Sequence, residues 1–222
     1  MSKPMTPRSR IENRWPVAKE GLPFILAFGG AAALLALIGW WPAAAPFVAL
    51  AGFSLWFFRD PDREPPLEAG VVSPADGRVL SVSEEEDGRF LKTRARKISI
   101  FMSVWSVHVN RAPLAGVVED VRYVPGRFFK AHLEKSSLEN EHNAIVLRLA
   151  SEDRIVFVQI AGVIARRIAC WVRPGDEVGR GQRVGLIRFG SRLDVYLPLT
   201  ARVKVRPGDT VRAGRSILGE LS

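Results

Sequence analysis

The sequence predicts a mainly β domain with an internal turn repeat, preceded by an apolar helical hairpin. Residues 21–58 contain no charged side chain, which is typical of helices in an apolar environment. From residue 71 onward, short apolar runs alternate with turn residues, and this pattern favours strands over helices. A segment with Pro-Gly-Asp also occurs twice, at 172–184 and at 205–217, which indicates a repeated structural unit.

Length, cysteine count and charge set the outer limits of the interpretation. The 222 residues provide one medium domain with an appendage. Cys170 is the single cysteine, so no internal disulfide can form, and a reducing compartment is compatible with this usage. The net charge of +9 indicates an anionic partner, either a nucleic acid or an acidic membrane surface.

The charge-free run follows a polar, basic segment of 20 residues. It is longer than one membrane span of about 20 residues. It divides at W-W-P (40–42), because proline stops a helix and tryptophan favours the lipid–water interface. We predict helices over about 22–40 and 44–58. The second is short for a full crossing, which leaves a shallow re-entrant insertion as an alternative. A hairpin buried in a soluble protein is the other alternative, but core helices normally carry a polar face.

Basic residues flank both ends of the hairpin, so the positive-inside tendency predicts cytoplasmic termini. The segment R-D-P-D-R-E-P-P (59–66) is a charged, proline-rich linker. We therefore predict a basic N-terminus with a membrane-anchoring hairpin over 1–60 and a β-rich domain over 61–222. The predicted location is the cytoplasmic face of the cell membrane, with residues 21–58 as the anchor.

The β-rich part contains ten apolar segments that are predicted as strands. They are 71–72, 77–82, 97–102, 116–124, 143–149, 155–161, 165–172, 183–189, 193–197 and 201–205. The polar stretch Phe128 to Asn143 has neither period and is predicted as a long loop, with His132 and His142 solvated in it. The repeated Pro-Gly-Asp supplies a tight turn. This turn element resembles that of biotinyl/lipoyl-type barrel-sandwich domains, in which two such halves face each other.

Three short segments carry side chains suited to nucleophilic or acid–base chemistry. Gly190-Ser191 is a small, flexible dipeptide at the joint of two predicted strands, where a plain turn is the structural alternative. Asp76 lies in S-P-A-D-G, where the alternative is a β-turn aspartate. His108 lies in H-V-N-R-A-P, and among three histidines it is the best candidate for proton transfer near neutral pH, with a structural histidine as the alternative. No histidine or cysteine spacing suggests a metal.

These segments, together with the apolar hairpin, resemble the phosphatidylserine decarboxylase family in its short form, over essentially the whole chain. The resemblance implies decarboxylation of phosphatidylserine to phosphatidylethanolamine in phospholipid biosynthesis. It implies Ser191, His108 and Asp76 as catalytic residues, with self-cleavage at Gly190-Ser191. The implied cofactor is a covalent pyruvoyl group derived from Ser191, which forms a Schiff base with the substrate amine, with no metal and no pyridoxal phosphate. His108 would lie near the carboxylate that departs.

The chemistry of a Gly-Ser bond accommodates such a cleavage. The Ser191 hydroxyl can attack the Gly190 carbonyl and convert the amide to an ester, and glycine removes the side-chain obstruction. A base then takes the serine α-proton and the ester carboxylate leaves. The resulting dehydroalanine tautomerises and is hydrolysed to a pyruvoyl group, with loss of ammonia. The products would be residues 1–190 and 191–222.

The chain departs from longer bacterial members of that family in two places. They carry L-G-S-T where this chain has F-G-S-R, and they carry a second histidine where this chain has Arg111. In those members the second histidine pairs with the aspartate for self-cleavage. The base that deprotonates Ser191 here is therefore open between His108, serving twice, and Asp76 acting through water.

The implied partners are a membrane phospholipid substrate, an anionic membrane surface and the non-covalent pairing of the two cleavage fragments. No nucleic acid is expected, because the charge is dispersed and no stacking motif or basic helix occurs. The oligomeric state stays open, a homodimer being one alternative. The competing hypothesis is a membrane-tethered barrel-sandwich adaptor or carrier without catalysis. It explains the hairpin and the repeat, but not the three segments above.

Overall fold

The computed structural model describes residues 15–88, 90–91, 93–126, 140–162, 167–188 and 190–221. Two compact units make up the chain, one within Asn13–Asp62 and the other within Arg63–Ser222. We refer to them as the helical unit and the β unit.

The helical unit contains a 3-10 turn at Lys19–Gly21, helix α1 over Leu22–Leu37 and helix α2 over Trp41–Phe57. Helix α2 begins three residues earlier than the sequence predicts. Proline is tolerated in the first turn of a helix, where its missing N–H would have had no partner, so the proline of W-W-P starts α2 instead of separating the helices. The break is made by Gly39, whose φ of +81° suits glycine.

Helix α1, counted with its preceding 3-10 turn as Lys19–Leu37, is long and apolar enough to cross a membrane. Only Ala32 of α1 is buried, whereas four of its five leucines are exposed, Leu37 to 84%. Because an exposed apolar surface of this kind is unfavourable in water, α1 can anchor the protein to a membrane.

The β unit contains fourteen strands within its described residues. They are β1 Val71–Val72, β2 Gly77–Asp87, β3 Thr93–Met102, β4 Val109–Arg111, β5 Gly116–Val124, β6 His142–Arg148, β7 Arg154–Ala161, β8 Ile168–Cys170, β9 Glu177–Val178, β10 Arg183–Ile187, β11 Ser191–Pro198, β12 Arg202–Val203, β13 Thr210–Val211 and β14 Ile217–Glu220.

One curled sheet dominates the β unit, with the antiparallel order β13-β2-β3-β11-β7-β6-β5-β9. Two smaller sheets have the orders β1-β14-β12 and β4-β10-β8. Alternate residues of each strand point to opposite faces. The concave face carries the main core, for example Ile100, Phe157 and Val195, and the other face carries a second cluster that includes Val156 and Tyr196. The predicted mainly β fold class is confirmed.

The Pro-Gly-Asp repeat is also a structural repeat. In the first copy the Arg173 amide donates to Asp176 Oδ2 at 2.8 Å, and in the second the Arg206 amide donates to Asp209 Oδ2 at 2.8 Å. The glycines of the two turns have φ values of +90° and +99°. The two turns are therefore held in the same way, by an aspartate that closes the loop on its own backbone.

The repeat extends to a pair of segments that sequence reasoning missed, S-P-A-D-G (73–77) and A-P-L-A-G (112–116). The Val72 amide donates to the Pro113 carbonyl at 2.9 Å, and the Arg111 amide donates to the Pro74 carbonyl at 2.9 Å. This reciprocal exchange indicates that the two segments are related by an approximate two-fold axis. We call the related parts of the β unit its two halves. One half combines S-P-A-D-G with the Pro-Gly-Asp copy at 205–217, and the other combines A-P-L-A-G with the copy at 172–184.

The loop predicted from Phe128 to Asn143 is wrong at its end. His142 and Asn143 begin strand β6 and are 4% and 2% exposed, so His142 is not solvated. The Asn140 carbonyl lies 2.7 Å from His142 Nδ1, which gives the buried ring a polar partner. Residues 127–139, with His132, lie outside the described residues.

Candidate active site

Ser191 is the first residue of β11, in the middle of the large sheet. It lies opposite Met102 on β3 and Ala161 on β7. The side chain is fully buried, and its Oγ donates to Met102 Sδ at 3.4 Å. Strand pairing on both sides therefore holds this serine in one place at the edge of the core.

Gly190 precedes Ser191 in a left-handed conformation, with φ of +59°. Among the described residues, nothing lies within 4 Å of the position that a Cβ would take there. Glycine is thus required by the backbone angle and not by crowding. Strand β10 ends at Ile187 and β11 begins at Ser191, which confirms the predicted joint between two strands.

A chain of buried amides runs from Ser191 into the core. Met102 Sδ also accepts from Asn110 Nδ2 at 3.7 Å, and Asn110 Oδ1 accepts from Gln159 Nε2 at 2.8 Å. Gln159 Oε1 in turn accepts from Asn143 Nδ2 at 3.0 Å. Sequence reasoning missed all three amides. The signal that could have found them is an amide residue at an inward-facing position of an otherwise apolar strand, as in V-Q-I.

The buried residue His108 lies directly before β4. Its Nδ1 is 3.0 Å from the Ser106 carbonyl, which can only accept, so the Nδ1 carries a proton and the Nε2 of a neutral ring is the basic nitrogen. The His108 carbonyl accepts from the Ile187 amide at 3.3 Å, three residues before Gly190. Asn110, two residues after His108, reaches Met102. The structure thus brings the His108 segment to the end of the sheet where Ser191 lies.

Asp76 is the residue before β2, and the starts of β2 and β11 lie at the same end of the large sheet, on either side of β3. Its Oδ1 accepts from the Ala213 amide at 2.7 Å. Arg63 donates to both carboxylate oxygens, with Nη2 at 2.8 Å from Oδ2. Among the residues that the structure describes, Asp76 hydrogen-bonds Arg63 and Ala213, whereas Ser191 bonds Met102. Asp76 and Ser191 therefore lie at the same end of the large sheet, and no hydrogen bond between them is among those described.

Arg111 occupies the position of the second histidine in longer family members. It is 4% exposed, and its Nη1 donates to the Gly181 carbonyl at 2.9 Å. An arginine stays protonated in proteins and cannot serve as a base. Arg111 therefore supports the contact between the two halves and does not replace that histidine in proton transfer.

The opposite face of β11 carries a buried ion pair one residue after Ser191. Arg192 donates to both Asp194 oxygens, at 2.6 Å from Nε and 3.0 Å from Nη2, and Nη2 also donates to Ser99 Oγ at 2.8 Å. Lys97 Nζ lies 3.8 Å from Asp194 Oδ2 and 2.9 Å from Glu85 Oε2. Burial alone would raise the Glu85 pKa, but the hydrogen bonds and the charge of Lys97 bring that pKa below its usual value.

Comparison with known proteins places this geometry in a family. A family model described as phosphatidylserine decarboxylase matches residues 50–219. A protein of Syntrophus aciditrophicus is 48% identical over 91% of this chain and 96% of its own length. Proteins of Desulfotalea psychrophila and Ralstonia nicotianae are each 47% identical over 95% of this chain and 99% and 100% of their own lengths. Each is named phosphatidylserine decarboxylase proenzyme. At this identity, and over this length, the chain belongs to the phosphatidylserine decarboxylase family, which is a family of enzymes and not of adaptors.

Proposed function

We propose that this enzyme decarboxylates phosphatidylserine to phosphatidylethanolamine, after it has cut itself at Gly190-Ser191 and converted Ser191 to a pyruvoyl group. The observation that carries the proposal is the pair itself. It consists of a left-handed glycine, with no described atom within 4 Å of its Cβ position, directly before a buried serine at the start of a central strand. The name proenzyme, borne by the relatives, is in accord with a chain that is processed.

Self-cleavage begins with a new bond between Ser191 Oγ and the Gly190 carbonyl carbon, and the Gly190–Ser191 amide bond breaks. The hydroxyl proton passes to the Ser191 nitrogen, which is released as a free amine. The strand position of Ser191 keeps its nitrogen and α-carbon fixed by β3 and β7 while the preceding peptide rearranges. The φ of +59° and the open surroundings of Gly190 allow its carbonyl to turn toward the hydroxyl. A base then removes the Ser191 α-proton, and the Gly190 carboxylate leaves.

His108 is the base that we favour for the deprotonation of Ser191. Its Nδ1 proton is directed to the Ser106 carbonyl, so the Nε2 is the nitrogen that can accept a proton. Both oxygens of Asp76 are already hydrogen-bonded by Arg63 and Ala213. These hydrogen bonds hold the Asp76 carboxylate in one orientation, and Asp76 acting through water is the second alternative.

After cleavage, the pyruvoyl ketone supplies the electron sink that decarboxylation of an amino acid requires. The residues that fit this chemistry are Ser191, which would head the small fragment and is paired on both sides within the large sheet, and His108, which would supply the acid–base group for the departing carboxylate. The described hydrogen bonds that carry this arrangement are those of Ser106, Met102 and Asn110.

The two fragments should stay together without a covalent link. Strand β11 pairs with β3 from Ser191 to Pro198 and with β7 from Ser191 to Tyr196, and β14 pairs with β1. The concave residues Leu193, Val195 and Leu197 are fully buried. A loss of this pairing would expose them to water, which is unfavourable.

The location proposed is the cytoplasmic face of the cell membrane. Helix α1 supplies the anchor, and the net charge of +9 suits an anionic surface. Full-length protein should therefore sediment with membranes and require detergent for release. A preparation found wholly in the soluble fraction without detergent would remove the anchor from the proposal.

Intact mass measurement of the purified protein tests the mechanism. Wild type should give a large fragment and a fragment of 32 residues, 191–222, whose N-terminus is blocked. Ser191→Ala has no hydroxyl for the attack and should remain whole at 24.6 kDa, folded and inactive. Ser83→Ala, which removes a hydroxyl bonded to Glu85 far along β2, is the matched control and should process normally. A wild type that is active on phosphatidylserine yet consists only of whole chain would refute the mechanism.

A further inference from the structure

We infer that Arg63 is a positioning residue for Asp76 and that it sets the rate of self-processing. The inference rests on the proposed function and on the part that Asp76 takes in self-cleavage, because it concerns the carboxylate at that same site. No feature of the sequence singles out Arg63, which lies in the charged linker 59–66.

Arg63 and Ala213 surround the carboxylate of Asp76. Arg63 Nη1 donates to Asp76 Oδ1 and Nη2 donates to Oδ2 at 2.8 Å. Nη1 also donates to the Ala213 carbonyl at 2.9 Å, and the Ala213 amide donates to Asp76 Oδ1 at 2.7 Å. The two side chains are 9% and 15% exposed, so water screens the pair only weakly.

A planar guanidinium that donates to both carboxylate oxygens fixes the plane of the carboxylate as well as its position. Without Arg63, the Ala213 amide holds one oxygen and the carboxylate can rotate about that bond. A misplacement of about 1 Å in an active site can lower a rate by about 100-fold. Arg63 therefore has a large effect on the chemistry without touching the reacting atoms.

The other half of the β unit shows that the fold does not need this pair. The Ser73 carbonyl accepts from Gly214 at 2.7 Å, and the matching Ala112 carbonyl accepts from Gly181 at 2.8 Å. The residue that corresponds to Asp76 in that half is Ala115. The same turn thus forms with no carboxylate, which argues that the Arg63–Asp76 pair serves the site and not the fold.

The two-fold relation also provides a matched control. Arg180 corresponds to Ala213, and its guanidinium donates to the carbonyl of Pro66, the last residue of the linker, and to the carbonyls of Glu68 at 2.8 Å and Gly70 at 3.1 Å just after it. It thus holds the segment that follows Arg63 but makes no described bond to Asp76. Arg180→Ala therefore loosens this segment and leaves the carboxylate in place.

The test uses the full-length chain, made by pulse-labelled cell-free synthesis in the presence of phospholipid vesicles. The rate at which whole chain is converted to fragments is measured for wild type, Arg63→Ala, Arg63→Lys and Arg180→Ala. We expect Arg63→Ala to slow conversion about 10- to 100-fold. The conversion rate of Arg63→Lys should lie between those of Arg63→Ala and wild type, because lysine keeps the charge but cannot donate to both carboxylate oxygens as a planar guanidinium does. Arg180→Ala should process at the wild-type rate.

Added guanidinium ion distinguishes positioning from a loss of folding. It can occupy the space left in Arg63→Ala and should restore part of the rate there, with no effect on Asp76→Asn. A thermal midpoint of Arg63→Ala close to that of Arg180→Ala should accompany this result. Processing of Arg63→Ala at the wild-type rate, or slowing equal to that of Arg180→Ala without rescue, would overturn the inference. A wild type that never processes would instead overturn the proposed function.

Discussion

Replacement of Arg192 by methionine should destabilise the β unit strongly, because it leaves the carboxylate of Asp194 buried without its main partner. Asp194 is fully buried, and Arg192 is 3% exposed. Arg192 contributes two hydrogen bonds to Asp194, of 2.6 Å and 3.0 Å, and one to Ser99. The pair lies one residue beyond Ser191, so it also holds the start of β11 in register.

The magnitude follows from what the deletion leaves behind. Removal of one partner of a buried ion pair costs about 3–5 kcal/mol. Lys97 Nζ, 3.8 Å from Asp194 Oδ2, can move closer and compensates in part. We therefore expect about 3 kcal/mol, which for a unit of about 150 residues lowers the thermal midpoint by roughly 6–12 °C. The double variant Arg192→Met, Asp194→Leu should recover most of this loss, since it leaves no buried charge.

The assay is thermal unfolding in detergent, followed by circular dichroism in a Ser191→Ala background so that every variant is one covalent chain. Arg154→Met is the control, because it breaks an exposed pair with Glu119 whose side chains are 52% and 37% exposed. Exposed pairs of this kind contribute little to stability, because water screens the two charges. If the free energies of unfolding of Arg192→Met and Arg154→Met differ by less than about 1 kcal/mol, the argument from burial is wrong.

Three further results are expected. His108→Ala should lower decarboxylation at least about 100-fold with little change in thermal midpoint, measured as carbon dioxide release; normal turnover by a cleaved variant would return His108 to a structural role. Gly77→Ala should lower the thermal midpoint of the β unit, because its Cβ would lie 2.0 Å from the Phe101 carbonyl oxygen. Gly29→Ala is the control, since its Cβ would meet no described atom within 4 Å, and it should leave the thermal midpoint unchanged. Burial raises the pKa of the Cys170 thiol. The rate of its alkylation should therefore begin to increase at a higher pH in native protein than in denatured protein, and identical pH profiles of the two would contradict this.

Much of the molecule follows from local sequence because the physical cause is itself local. A run without charge, 21–58, predicts apolar helices, since each charged side chain would have to be removed from water. Pro-Gly-Asp predicts a tight turn because the glycine φ and the aspartate hydrogen bond involve only neighbouring residues. Gly190-Ser191 is predicted as a strand joint for the same reason, and the resemblance attached a chemistry to it.

The helix boundary and the buried histidine show where local patterns mislead. Proline can end a helix or begin one, and W-W-P fits both, so only the structure shows that α2 starts there. His142 lies in a polar stretch, and the pattern cannot show that the convex face of the sheet is itself covered, with Phe90 6.4 Å from the His142 ring.

The arrangement of the site depends on contacts between residues far apart in the chain. Sequence patterns single out Ser191, His108 and Asp76 as separate residues, but they do not show that Arg63 binds Asp76 or that an amide chain links Ser191 to Gln159. Strand periodicity shows which residues share a face, yet the order of strands in a sheet follows from packing of the whole core. The chemistry of individual side chains can thus be predicted from the sequence. The hydrogen bonds that orient these side chains form only when the two halves of the β unit pack around one core.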